Sequence, residues 1–436
     1  MYFVIAKKNK NPFKNSLMSK ILTKKIQTQL SDYFSFDSEM TKPETRCLKD
    51  MVLGILKSKS VFVNQIGASL RESLKLKDVC KRLSSQYLKE EYAEKVLQNH
   101  LSSVKSSVSK DDFILMDGTD ISKKYAKYME GLEFVKNGDT SEIGLGYNVL
   151  NINSINNDKE ITPFYSKAYS YQMGALSSNN EIKKAVRAVK EHITDKGCWV
   201  FDRGADNGIL KDFFIRECSQ TIIRLKKNTK VVYKQTEHPV SQLAKKIEFS
   251  LTQKVIKIKK NKPVIALYEL GTIPITYNVK GVLHPMWLVV SRNTKHGGLC
   301  YLLVKSELST AIEVAKWAFK GYGLRWKIEE YHRHIKQAYK LEDIQIKTFN
   351  GLQSMLATLT VAMFMIYKKI KAIHFSLLLD AGYNYLNKHT LRELTNFIYY
   401  KISKLVSILL MTTKSRWKVI KTTPLHSSGQ LNLKFN

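Results

Sequence analysis

From Glu44 onward the apolar positions recur at helical spacing. Leu48, Met51, Val52, Ile55 and Leu56 fall at i, i+3, i+4, i+7 and i+8. Val61, Ile66 and Leu70 continue the pattern, followed by Leu76, Val79 and Leu83, then Tyr87, Val96 and Leu97. Lys75, Lys77, Lys81 and Arg82 take the opposite faces. The spacing predicts a helical domain over 43–108, preceded by a basic, weakly patterned segment over 1–42. A helix-turn-helix between about 60 and 88 would set the basic faces on DNA. A helical packing or dimerisation module is the alternative that the same pattern allows.

At Asp111 the period changes. FILMD (113–117) is a short apolar run that ends in an acid and is followed by Gly118, the pattern of a buried strand finishing at the sheet's carboxyl edge. LGYNVLNINS (145–154) and ITPFYSKAYS (161–170) predict a second and third strand, with turns over 138–144 and 156–159. A helix is expected over 180–193. The strand CWVFD (198–202) again ends in an acid, and a short helix then precedes the strand TIIRLKK (221–227). Three strands in meander, then helix, strand, helix and strand, describe an α/β fold with a mixed sheet flanked by helices. Its first part spans 109–227. Residues 228–305 read as a β-rich, mostly antiparallel insertion: VIKIKKNKPVIALYEL, TIPITYNVK, HPMWLVVSR and CYLLVKS are separated by Gly, Pro, Asn and His clusters. Helices return over 306–412 as the second part of the core, and 413–436 form a basic tail.

Charge narrows the function. Lys plus Arg outnumber Asp plus Glu by 71 to 38, a formal charge of +33 on 436 residues. Such an excess opposes compaction unless a polyanion neutralises it, so nucleic acid is the first expected partner and an anionic membrane surface the second. Hydrophobic content of 44% makes the chain globular rather than disordered. The run 355–367 is too short to span a bilayer and reads as a buried helix, so no membrane is expected. The start, MYFVIAKKNK, puts its charges after its apolar residues, the reverse of a secretory signal. Five scattered cysteines without a CxxC pair read as free thiols of a reducing compartment.

The chemistry gathers on three acids. Two buried strands end in Asp117 and Asp202, and a carboxylate there is expensive to bury unless it is protonated, paired or metal-bound. The stretch YGLRWKIEEYHRHIK (322–336) favours a helix whose one face carries Tyr322, Arg325, Glu329 and Lys336. Taken alone, that helix reads first as a solvated basic helix with i,i+4 ion pairs. Joined to the two aspartates, Glu329 completes a set of three hard oxygen donors suited to Mg²⁺, with Mn²⁺ as substitute. Two such ions about 4 Å apart would serve an in-line displacement at phosphorus. Asp120 and Asp206 read as caps of local structure, Glu330 as the partner of a Lys or Arg, and His332 as a surface histidine.

Three motifs resemble those of the IS4-family DDE transposases, whose catalytic core is RNase H-like. ILMDGTDISKKYAKYMEGL resembles the first-aspartate block with Asp117, WVFDRGADNGIL the D-R-G-x-D block with Asp202, and YGLRWKIEEYHRHIK the signature Y-x2-R-x3-E-x6-K at Tyr322, Arg325, Glu329 and Lys336. The long gap between Asp202 and Glu329 matches the family's β-rich insertion. The resemblance implies an Mg²⁺-dependent transposase performing cut-and-paste transposition of an insertion sequence, by two-metal-ion hydrolysis and strand transfer. Catalysis and metal binding would fall to Asp117, Asp202 and Glu329. DNA contacts would fall to Tyr322, Arg325 and Lys336, with Arg203, Arg224 and Lys226 nearby. Tyr301 stands where relatives that form a hairpin carry a base-stacking Trp, although a cross-strand packing residue would look the same. The implied partners are double-stranded transposon ends and target DNA, bound by a homodimer, in the bacterial cytoplasm at the nucleoid. A non-cleaving DNA-binding remnant and a nuclease without strand transfer are the other readings.

Overall fold

The structure, a computed structural model, describes residues 17–34, 39–123, 125–138, 140–259, 262–370 and 397–411. The first sixteen residues of the basic N-terminal segment, the basic tail from 413 and the stretch 371–396 of the expected C-terminal helices lie outside the described residues.

Five helices come first: α1 (Leu17–Tyr33), α2 (Lys42–Ser58), α3 (Val63–Leu70), α4 (Leu76–Tyr87) and α5 (Tyr92–Val104). α1 falls in the segment read as weakly patterned. Its buried Leu22, Ile26 and Leu30 recur every four residues among lysines and polar residues, which is a helical stripe narrower than usual. α2 begins on a reciprocal cap in which the Thr41 hydroxyl accepts from the Glu44 N–H and the Glu44 carboxylate accepts from the Thr41 N–H. α3 and α4 are joined by a short turn through Arg71, and Lys75, Lys77 and Lys81 are exposed. Arg82 instead turns inward to Asp50 and Glu72.

The strands β1 (Phe113–Ser122), β2 (Glu133–Lys136), β3 (Ile143–Ile155) and β4 (Ile161–Tyr169) form the meander. α6 (Ser178–Ile193), β5 (Cys198–Phe201), α7 (Gly208–Glu217) and β6 (Thr221–Leu225) follow. Pairing gives the order β4-β3-β1-β5-β6, with β3 antiparallel to β1 and β4, and β5 parallel to β1 and β6. β1 does not stop at Asp117. It runs on to Ser122, because its antiparallel pairing with β3 extends from Phe113 to Ser122 while its parallel pairing with β5 ends at Leu115.

The β-rich stretch comprises β7 (Lys230–Tyr233), β8 (Thr236–Pro239), a single helical turn α8 (Val240–Leu243), β9 (Leu251–Lys259), β10 (Lys262–Val279), β11 (Val282–Asn293) and β12 (Leu299–Lys305). Two of the four runs read from the sequence are redistributed: the second half of the first and TIPITYNV of the second form the single strand β10, and β7–β8 is an added hairpin. β12 pairs antiparallel with β6, so these strands extend the same sheet.

α9 (Ala311–Leu324), α10 (Trp326–Ala338), α11 (Phe349–Phe364) and α12 (Ile398–Met411) complete the described fold. Gly321 lets α9 ride directly on β1 and β6, since a Cβ there would lie 2.3 Å from Phe113 and 2.8 Å from Ile222. α11 widens into a π turn over Met365–Ile370. The resulting helix, Phe349–Ile370, is long and apolar enough to cross a membrane, but 83% of its apolar window is buried inside the protein, against β4, α5 and α2. All five cysteines are free thiols.

Candidate active site

The register of the parallel strands sets the site. Leu115 of β1 pairs with Val200 of β5, and Val200 pairs with Ile222 of β6. Two residues farther along come Asp117 and Arg224, still in β1 and β6, and Asp202, one residue past the end of β5 with its backbone still extended; the three therefore form one row on one sheet face, because side chains alternate with period two. That face is the one covered by α9, since Phe113 and Ile222 meet Gly321.

Arg325 joins the row to Glu329. Its Nη1 donates to Asp117 Oδ2 at 3.2 Å and its Nη2 donates to Glu329 Oε1. The stretch 322–336 is not one helix as expected. α9 ends at Leu324 and α10 starts at Trp326, with i+3 hydrogen bonds from Arg325 N–H to Tyr322 and from Ile328 N–H to Arg325 tightening the turn. Tyr322 accordingly sits in the last turn of α9 and Glu329 in the first turn of α10.

The Asp117 side chain is 21% exposed. Burial pushes its carboxyl up to about 6, Asp202 and Glu329 push the same way, and Arg325 and the Gly118 N–H pull against them. Asp202 directs Oδ1 to the Gly204 N–H at 2.7 Å, capping the turn Arg203–Ala205. Across β1–β3, Asn151 pairs with Asp117 and shares its face; its amide is fully buried and has no hydrogen-bond partner among the described residues.

The expected DNA contacts divide into two groups. Tyr322 accepts a hydrogen bond from Arg224 Nη1 at 3.1 Å, with that guanidinium 5.8 Å from the ring centre. Burial raises the Tyr322 hydroxyl above the ordinary phenol range, and Arg224 opposes this. Arg203 is exposed beside Asp202, and Lys226 is exposed just past β6. Lys336 is held by Asp120 at 3.2 Å and Glu342 at 2.9 Å. Burial would lower its ammonium, but the hydrogen bonds and charges of these two acids prevail and hold it above the usual lysine range. Tyr301 pairs with Leu225 across β12–β6, while Leu302 pairs with Arg224. Tyr301 therefore lies on the opposite sheet face from Arg224, and the structure does not bring it to the others.

Several neighbouring residues differ from the sequence reading. Asp120 is no cap past a strand end: it is a buried residue of β1, accepting from the Gly138 N–H at 3.1 Å and pairing with Lys336. Asp206 does not cap α7, which Asn207 does. Asp206 is buried, pairs with Lys211 at 2.5 Å, and accepts from the Lys226 N–H and the Thr229 hydroxyl. His332 is buried rather than at the surface, and burial, with Lys336 and Arg325 adding, pushes its imidazole down to about 3. Glu330 pairs with Lys327 at 2.6 Å, as expected. Polar residues inside apolar runs, such as Asn151 in LNINS, were the signal that would have pointed to the buried amide.

The carboxyl of Asp117, whose charge Asp202 and Glu329 both oppose, stands with those two acids beside an amide without a partner among the described residues, a donor set of the type that suits a hard divalent cation. As the side chains stand, no three acidic, imidazole or thiol groups among the described residues are close enough together to hold one. Arg325 takes up an oxygen of Asp117 and one of Glu329, and Asp202 is turned onto its own backbone. Residues 164–365 match the family model described as the transposase DDE domain, which supports a transposase-type function with DNA as substrate. Asp202 and Glu329 fall inside the matched span, and Asp117 precedes it. No curated protein matches the chain.

Proposed function

We propose that this chain is a transposase of the IS4 type, which cuts DNA at a transposon end and joins the freed end to a target. The reading takes the strand order β4-β3-β1-β5-β6 as an RNase H-like core. It also takes Asp117, Asp202 and Glu329 as the holders of divalent ions, Mg²⁺ or Mn²⁺. One observation carries it: the row of Asp117, Asp202 and Arg224 across three parallel strands, with Arg325 linking the row to Glu329.

Bound between these acids, divalent ions would supply activation of the attacking oxygen and stabilisation of the leaving one. The protein's own part is to bind and orient the strand. Arg224, held by the Tyr322 hydroxyl, and exposed Arg203 and Lys226 border the acids with positive charge suited to phosphate oxygens. The exposed lysines of α4 and the +33 charge of the whole chain supply sequence-independent affinity. Action on nucleoid DNA by a homodimer, each subunit cutting one end, belongs to the same proposal.

The test uses a supercoiled plasmid carrying the inverted repeats that flank the coding region, with Mg²⁺ or Mn²⁺. Expected products are nicked and linear plasmid, and a precut end should join to target DNA. D117N, D202N and E329Q should each lose cleavage about a hundredfold or more while still binding the duplex. Undiminished cleavage by any of the three would sink the assignment. Cleavage without joining would leave a nuclease.

A further inference from the structure

We propose that Arg325 is a tethered cation that keeps divalent ions out of the acidic site until a DNA phosphate takes up its guanidinium. The proposal rests on the reading of Asp117, Asp202 and Glu329 given above. Its ground is where Arg325 sits. One guanidinium spans two acids from different elements, Asp117 on β1 and Glu329 on α10, through separate nitrogens. The side chain is only 18% exposed, so the pairs are sheltered from solvent screening. A divalent ion between the same carboxylates would stand a few ångströms from the guanidinium, and two cations that close repel strongly where water is scarce. Ion and guanidinium therefore exclude each other.

The neighbourhood also offers Arg325 an alternative partner. Arg224 lies near enough for the two guanidinium groups to repel, and no acid pairs with Arg224 among its described contacts. A phosphate entering beside Arg224 relieves that repulsion and matches the planar fork of Arg325 in two-point geometry. Once Arg325 turns to the phosphate, Asp117 and Glu329 are left facing each other and Asp202 without a cation. DNA binding thereby raises ion affinity, and by linkage the ion raises DNA affinity. A metal-free chain keeps its acids neutralised, and a chain without DNA does not assemble a loaded cutting site.

The probe is Mn²⁺ alone, titrated into the full chain and followed by loss of the free-ion paramagnetic resonance signal, with and without a short duplex of arbitrary sequence. Without DNA, R325Q should bind Mn²⁺ about tenfold tighter than the wild type or more. R325K keeps one charge but cannot span both acids, and should fall between them. Adding duplex should tighten Mn²⁺ binding more in the wild type than in R325Q. Equal or weaker Mn²⁺ binding by folded R325Q overturns the proposal while leaving the acidic site intact, provided that D117N weakens binding. If R325Q does not fold, R325K decides by the same comparison: affinity at or below wild type overturns the proposal. Absence of Mn²⁺ binding in every variant, with and without duplex, removes the acidic-site reading and this proposal with it.

Discussion

Asp117 and Asp202 stand level with one another, each two residues past the pair that Leu115 and Val200 form between neighbouring parallel strands. They are nevertheless held differently. Asp117 is still inside a strand, because β3 continues to pair with β1 there, whereas Asp202 has left its strand and caps a turn. The first acid is fixed by sheet geometry, and the second by a hydrogen bond that it makes itself.

That difference separates stability from catalysis at Asp202. D202N keeps an oxygen for the Gly204 N–H and should unfold within about 0.5 kcal/mol of the wild type, whereas D202A loses the cap and about 1 kcal/mol. Both should lose plasmid cleavage. Urea unfolding measures the first pair of values and the plasmid assay the second. Cleavage by D202N would show that the position acts only as a cap.

Asp206 is expected to behave in the opposite way. Its side chain is almost wholly buried and holds Lys211, the Lys226 N–H and the Thr229 hydroxyl, tying the turn after β5 to the end of β6. D206A leaves Lys211 buried without its acid and should cost about 3–5 kcal/mol. K211M in the same chain should recover part of this by removing the stranded charge, but not the part due to the freed N–H and hydroxyl. Additive losses in the double variant would mean that the pair is not coupled.

These contrasts also mark what the residues disclose on reading and what they do not. That Asp117 and Asp202 come near one another was legible, because each closes a short apolar run of strand character. The extent of β1 was not, since only pairing with β3 carries it past Gly118, and pairing partners are distant in sequence. Asp120 and Asp206 looked like caps because both follow a short apolar run. Their partners include Lys336 for Asp120 and Lys226–Thr229 for Asp206, which lie past intervening helices and strands, and only Lys211 of Asp206 is close by in the chain. The break at Arg325 is likewise invisible in a stretch of good helix formers. α1 was within reach, because Leu22, Ile26 and Leu30 keep a spacing of four.

Acid should destabilise the fold through buried histidines. His100 accepts from the Tyr33 hydroxyl and donates to the Pro163 carbonyl, and burial pushes its imidazole down to about 4. His334 lies between Tyr367 and Ser403, and burial, with Lys59 adding, pushes it down to about 3. Both values lie below the unfolded value near 6.5. Their contribution is therefore complete above pH 6.5 and is lost as pH falls toward 4 and 3, at about 1.4 kcal/mol per histidine per pH unit. Asp117, held up at about 6, works in the opposite sense, gaining stability for the fold as pH falls through that value. Urea midpoints between pH 7 and 5 should fall, and fall more steeply in D117N. H100Q should be less stable at pH 7 yet show a shallower acid slope. A slope unchanged in H100Q would remove that histidine from the account.

Lys57 should be a residue whose removal helps. It lies at the end of α2, is 1% exposed, and its Nζ has no hydrogen-bond partner among the described residues, while its carbonyl accepts from the Ser407 hydroxyl of α12. Burial, with Arg71 adding, pushes the ammonium down to about 8. An amine lowered in the fold from an unfolded value near 10.5 opposes folding throughout the range below about 8, and that opposition fades as pH rises from 8 to 10.5. K57M fills the same space without a charge and should stabilise the chain by about 2 kcal/mol at pH 7. The gain should shrink as pH rises from about 8 and approach zero only above about pH 10.5, where the wild-type amine is neutral in both states. The main-chain contact with Ser407 is untouched by the substitution, so the docking of α12 on α2 serves as an internal control. Loss of stability in K57M at pH 7, or a gain that does not decline with pH, would mean that the amine has a partner that the fold depends on.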